Sequence, residues 1–209
     1  MLSTTDAIVL CLQPYSDKAH ILHAYTRAGG RVNYKVYGIG RKNTTGKYSP
    51  LSVVQLTTDE HSVRTAQLQY VPATLITDPY KRTVALFISE VLYHVLRHPM
   101  PDETMYSFLE QAVQALDATD EPQNFHLAFL IDFAAKLGFA IPEDPQSSIF
   151  NLQSSIPNLQ SSIFNLQSST PLSRKQRQQA LRALCAYFAE HVETWQNPKS
   201  LDILMEVFD

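Results

Sequence analysis

Residues 29–37 read Gly-Gly-Arg-Val-Asn-Tyr-Lys-Val-Tyr. Two glycines tolerate the positive φ of a tight hairpin turn, and the seven residues after them alternate in character. Period two puts Val32, Tyr34 and Val36 on one side of a strand and Arg31, Asn33, Lys35 and Tyr37 on the other. The apolar set suits a barrel interior. Working outward, residues 5–12 and 19–26 are runs of strand formers on the N-terminal side. Residues 51–58 and 62–71 follow, divided by the polar Asp59-Glu60-His61. Five short strands within the first 74 residues predict a small closed barrel, and the OB-fold is the commonest five-stranded nucleic-acid-binding form.

Beyond Pro72 the apolar period lengthens. Asp78-Pro79 predicts a helix start, with the aspartate as cap and proline at the first helical position. Val84, Phe87, Ile88, Val91, Leu92, Val95 and Leu96 then recur every three to four residues. Met105 to Leu116 repeats the pattern, and a third helix over 125–137 is stopped by Gly138. A fourth begins near Ser173 and a short fifth holds Leu201, Leu204, Met205 and Phe208. The fold class is therefore α+β: a barrel over 1–74 and an all-α part over 75–209. Residues 149–155, 156–162 and 163–169 are near-copies of one seven-residue unit, with part of another copy before them. Pro157 and the many Asn and Ser positions argue against a coiled coil, so the segment 146–170 reads as a flexible loop.

Charge is uneven. Residues 1–71 hold eight Lys/Arg against four Asp/Glu, whereas 72–209 hold nine against sixteen, for a net −3 overall. No acid occurs between Asp17 and Asp59, a stretch that carries Lys18, Arg27, Arg31, Lys35, Arg41, Lys42 and Lys47. A block of one sign is a candidate polyanion surface. Cations beside a ring supply the two elements of sequence-tolerant single-strand binding, phosphate attraction and base stacking. Arg27, Arg31, Lys35, Tyr37, Arg41, Lys42 and Lys47 are the candidate DNA-binding residues.

Other chemistries find little support. Cys11 and Cys185 are far apart, which speaks against both a disulfide framework and a four-ligand zinc site. His94 and His98 sit four apart without the Glu of a His-Glu-x-x-His helix, and His20 and His23 fall on opposite faces of a strand. There is no phosphate loop, no nucleophile elbow and no grouping of acids for two-metal catalysis. A non-enzyme without cofactor or metal is expected, cytoplasmic and nucleoid-associated, with no membrane span.

Thr5-Asp6-Ala7-Ile8-Val9-Leu10, Tyr15-Ser16-Asp17 and Tyr25-Thr26-Arg27-Ala28-Gly29-Gly30-Arg31 together resemble the RecO family, in its Bacteroides-type branch. Gly38, Arg41-Lys42, Pro50-Leu51, Lys81-Arg82, Glu90-Val91-Leu92-Tyr93, Asn124-Phe125-His126 and Leu137-Gly138-Phe139 extend the likeness, as does Lys199 to Leu204. The resemblance implies a recombination mediator of DNA repair that binds single- and double-stranded DNA and anneals complementary strands. It further implies that, with RecR, the protein helps RecA displace single-strand binding protein. The helical part would take the acidic, apolar C-terminal tail of that binding protein, with Lys81, Arg82 and Arg97 as contacts. The chain departs from the family's pattern in lacking the four-cysteine zinc motif of many relatives, in its repeats, and in Tyr37, where a basic residue is common. The alternatives are an OB-fold RNA-binding protein and a helical protein-interaction adaptor.

Overall fold

A computed structural model describes residues 2–39, 46–70, 72–141 and 172–207. The repeats at 146–170 and the basic pair Arg41-Lys42 lie outside the described residues. Five antiparallel strands come first: β1 (Ser3–Ser16), β2 (Ala19–Thr26), β3 (Gly30–Tyr37), β4 (Val53–Thr58) and β5 (Val63–Tyr70). They are hydrogen-bonded in the order β3-β2-β1-β4-β5. The sheet curls until its edges meet, where Lys35 bridges Ser62 and the Lys35 N–H donates to the His61 carbonyl at 2.8 Å. This is the OB-fold that the strand pattern predicts.

β1 runs four residues further than its apolar run suggests, through Pro14. Its pairing with β4 ends at Ile8, and Val9 makes its last backbone bonds on that side with Leu51 and Ser52, so a proline at 14 breaks no second ladder. Its register shifts between Val9 and Cys11 and again between Pro14 and Ser16, bulges that turn the strand. Ala7 and Val9 enter the barrel core with Leu22, Ala24, Val36, Val54 and Leu56. Ile8 and Leu10 face the other way and join Tyr25 and Val53 in the core of the helical part. Both faces of β1 are thus buried, which is why residues 7–12 read as one unbroken apolar run rather than an alternation.

Among the described residues six helices follow: α1 (Ala73–Thr77), α2 (Pro79–Val95), α3 (Glu103–Ala118), α4 (Phe125–Lys136), α5 (Arg174–His191) and α6 (Leu201–Val207). Asp78 caps α2 by accepting from the Tyr80 and Lys81 N–H groups, with Pro79 in the first turn. Ser173 and Gln176 form a capping box on α5, and Gly138, at φ 90°, ends α4. The five residues of α1 are too few to show a helical period, so nothing in the sequence pattern announces them. Phe108, Phe129, Phe133 and Phe188 stack at centroid distances of 5.5 to 6.5 Å and knit α3, α4 and α5 together.

The barrel is seated on α2. Leu10, whose carbonyl the β1 bulge frees from the ladder, accepts a hydrogen bond from the buried Ser89 hydroxyl. On the other flank the β2–β3 hairpin touches the connection from α2 to α3. Gly30 has φ 62°, and a Cβ there would lie 2.1 Å from the Met100 carbonyl oxygen. Only glycine satisfies both the left-handed backbone and that approach.

Candidate nucleic-acid interface

β3 positions the face. Val36 is in the barrel core with Tyr34 packed against it, so Arg31, Asn33, Lys35 and Tyr37 occupy the outer side, as the alternation requires. Tyr37 is 58% exposed. Lys35 stands over the ring of Tyr15, which is 63% exposed, with its ammonium 5.3 Å from the centroid. Tyr15 therefore adds a second open ring to the face. Its place on the face depends on β1 continuing to Ser16, beyond the run of strand formers over residues 5–12. The pairing Ile21↔Lys35 and Gln13↔Ile21 places the end of β1 on the same surface two strands away.

The lower half of the face is ordered by a polar relay. His23 lies between Gln13 (Nε2 to Oε1, 3.1 Å) and Asn33 (Nδ1 to Oδ1, 2.7 Å), and Arg31 Nη2 is 3.0 Å from its Nδ1. Burial lowers the His23 pKa, the Asn33 contact opposes this and Arg31 adds to it, so the ring is neutral at physiological pH. Arg31 lies over the Tyr93 ring of α2 at 4.5 Å and donates to the Tyr93 carbonyl at 3.4 Å. Burial disfavours its charge, but a guanidinium starts so high that it stays a cation.

The remaining candidates separate. Arg27, on the far side of the hairpin from Arg31, is enclosed by carboxylates: Asp6 at 3.9 Å, Glu110 at 3.2 Å, and Glu103 in direct contact. Its guanidinium also covers the Tyr106 ring at 4.3 Å. It fastens β2 to α3, and its charge is spent there. Lys47 sits in the 3-10 turn before β4 and donates to the Ala66 carbonyl of β5 at 3.1 Å. The face therefore gathers Arg31, Lys35 and Tyr37, but not Arg27 or Lys47.

Lys81, Arg82 and Arg97 do not form one contact set. Lys81 is 5% exposed and donates to Asp117 O at 2.7 Å and Thr74 Oγ1 at 3.1 Å. Arg82 donates to the carbonyls of Leu75 (3.3 Å) and Ile76, closing the end of α1. Arg97 lies past the other end of α2, about 24 Å away at 1.5 Å per helical residue, and donates to the His94 carbonyl at 3.1 Å. Arg82 borders a groove of about 420 Å³ between the β3–β4 connection and α1–α2, lined by Pro50, Leu75, Ile76, Ala85 and Leu86.

Among the described residues no group of three or more His, Cys, Asp or Glu side chains is placed to hold a metal ion. His98 lies beyond the end of α2, so it shares no helical turn with His94. Burial raises the Cys11 thiol to about 11 and the Cys185 thiol to about 12, against ready thiolate chemistry. No helix among the described residues is long and apolar enough to cross a membrane.

Two family models match the chain: Recombination protein O N terminal over residues 1–79 and Recombination protein O C terminal over 76–145. Two curated proteins named DNA repair protein RecO, from strains of Porphyromonas gingivalis, are 30% and 31% identical over 245 aligned positions, covering all of both chains. Those of Phocaeicola vulgatus and Bacteroides fragilis are 28% and 26% identical, again over the whole of both chains. The barrel, the helical part that supports it and these full-length matches agree, and the chain belongs to the RecO family of DNA repair proteins.

Proposed function

We propose that this chain is a DNA-binding recombination mediator that holds single-stranded DNA across the outer face of β3. The observation that carries this is the exposed pair of rings, Tyr15 and Tyr37, flanking Lys35, with no carboxylate paired to that lysine among the described residues. Bases stack on the rings for about 1–3 kcal/mol each, and the cations take phosphates in a salt-dependent way. Arg31 contributes charge from a fixed position, because Tyr93 and His23 hold its side chain. Arg41 and Lys42 extend the basic set. From the same family likeness we propose binding to double-stranded DNA, strand annealing, and loading of RecA together with RecR on DNA covered by single-strand binding protein. The tail of that protein is assigned to the groove beside Arg82, whose apolar lining suits apolar side chains and whose cation suits acidic ones. Lys81 is left out of that assignment because it is buried.

The test is a titration of labelled single-stranded DNA and of RNA of the same length, followed by anisotropy at two salt concentrations. The expected result is binding that weakens with salt, and about a tenfold or greater loss in the triple variant Tyr15→Ala, Lys35→Ala, Tyr37→Ala. Unchanged affinity in that variant would overturn the site, and tighter binding of RNA than of DNA would overturn the choice of nucleic acid.

A further inference from the structure

The two ends of the β2–β3 hairpin meet the helices in opposite electrostatic settings. On the Arg27 side three carboxylates converge on one cation. On the Arg31 side the balance reverses. Arg31 N–H donates to the His98 carbonyl at 3.2 Å, which brings β3 against the end of α2. The segment after α5 is tied to the same place, since Thr194 Oγ1 donates to the His94 carbonyl at 2.8 Å. That tie delivers Lys199 from a hundred residues further along the chain. Arg31, Arg97 and Lys199 thus assemble around His94 from three separate segments, and among the described residues Glu90 is the one charge that opposes them there. Its carboxylate already accepts from the Ser200 N–H at 2.9 Å and hydroxyl at 2.7 Å. The pKa of His94 registers this surplus: burial lowers it most, Arg97 next, Glu90 opposes, and Arg31 and Lys199 lower it further.

Resting on the proposed DNA-binding face, we infer that the polyanion track continues off the barrel onto the helical part, where Arg97 and Lys199 form a second phosphate-binding patch. Arg31 is the joint between the two. Four residue steps along the strand, about 13 Å, take it to Lys35, so the cations follow one another along the outer face and across the seam. Arg97 and Lys199 are both exposed and neither is paired with a carboxylate among the described residues. Capping the end of α2 accounts for the Nε of Arg97 but not for Lys199, whose charge acts on the same His94. The aromatic ring at this seam, Tyr93, is covered by Arg31. The patch therefore reads backbone charge rather than bases.

The test uses the full chain and a labelled oligonucleotide long enough to cross both surfaces, titrated over a range of salt. Arg97→Ala with Lys199→Ala is expected to weaken binding about fivefold to tenfold and to lower the slope of log affinity against log salt by about 1.4, two single-strand phosphates at about 0.7 each. Lys175→Ala with Arg182→Ala, an equal change of charge on exposed positions of α5, is the control and is expected to leave both quantities unchanged. Wild-type affinity and slope in the Arg97/Lys199 variant, with binding lost in the Tyr15/Lys35/Tyr37 variant, would overturn the second patch and leave the barrel face standing. The reverse pattern would support the patch and remove the barrel face. Equal losses in the Lys175/Arg182 control would overturn the patch by showing that only net charge matters.

Discussion

Replacing Lys81 by methionine distinguishes a structural lysine from a peptide-binding one. The residue joins four segments. Its ammonium donates to the Asp117 carbonyl at 2.7 Å and Thr74 Oγ1 at 3.1 Å, while the Asp117 carboxylate accepts from Tyr70 OH (2.5 Å), Thr74 N (2.9 Å) and Thr74 Oγ1 (2.6 Å). The last strand of the barrel, α1, α2 and the end of α3 are fastened at this one point. Burial raises the Asp117 pKa, but the Thr74 and Tyr70 hydrogen bonds and the nearby Lys81 bring it below its usual value. Methionine keeps most of the buried stem and removes only the charged donor. Hydrogen bonds from an ionised group contribute about 1.5–3 kcal/mol each. Part of that is offset because an ammonium no longer has to be desolvated. A net loss of about 2–3 kcal/mol follows, which for a chain of this size lowers Tm by about 5–10 °C. Urea unfolding followed by circular dichroism, beside DNA affinity and binding of an acidic apolar peptide, measures it. The expected outcome is reduced stability with DNA affinity retained. A wild-type unfolding midpoint combined with loss of peptide binding would refute the reasoning and return Lys81 to the peptide site.

Gly30→Ala is expected to cost about 3 kcal/mol or more, from the left-handed backbone and the collision with Met100, whereas Gly29→Ala, whose Cβ would sit 3.3 Å from Thr26 Oγ1, costs less; paired unfolding curves decide. Arg27→Ala is expected to lower stability by about 1–2 kcal/mol, kept small by the partial exposure of its ion pairs, and to leave the salt slope of DNA binding unchanged because its charge is already neutralised. His126 is 2% exposed and burial holds its pKa at about 3 instead of 6.5. Between those values the unfolded chain takes up a proton that the native state refuses, so stability is intact above pH 6.5 and falls by about 1.4 kcal/mol per unit as pH drops toward 3. His126→Leu should flatten that acid limb, and an unaltered pH profile would contradict the burial.

Local rules were enough for a large part of this molecule. The hairpin at Gly30, the alternation along β3, the Asp78-Pro79 start of α2 and the stop at Gly138 follow from backbone sterics and short-range hydrogen bonding, which act within a few residues. They make the OB-fold and the outward set Arg31, Asn33, Lys35 and Tyr37 legible without coordinates. Which of seven candidate residues remain available depends on chain segments far apart in sequence. Arg27 meets Glu103 and Glu110 only when α3 lies against the barrel, and Lys81 is enclosed only when Tyr70 and Asp117 converge on it. Tyr15 reaches Lys35 because β1 continues past its proline along β2. Short-range preferences set the existence of the five strands, the start of α2, the stop at Gly138 and the side of β3 that faces outward, but not the extent of β1 or the presence of α1. Tertiary structure decided which cations keep their charge free, because neutralisation and burial are properties of neighbours in space that no local period encodes.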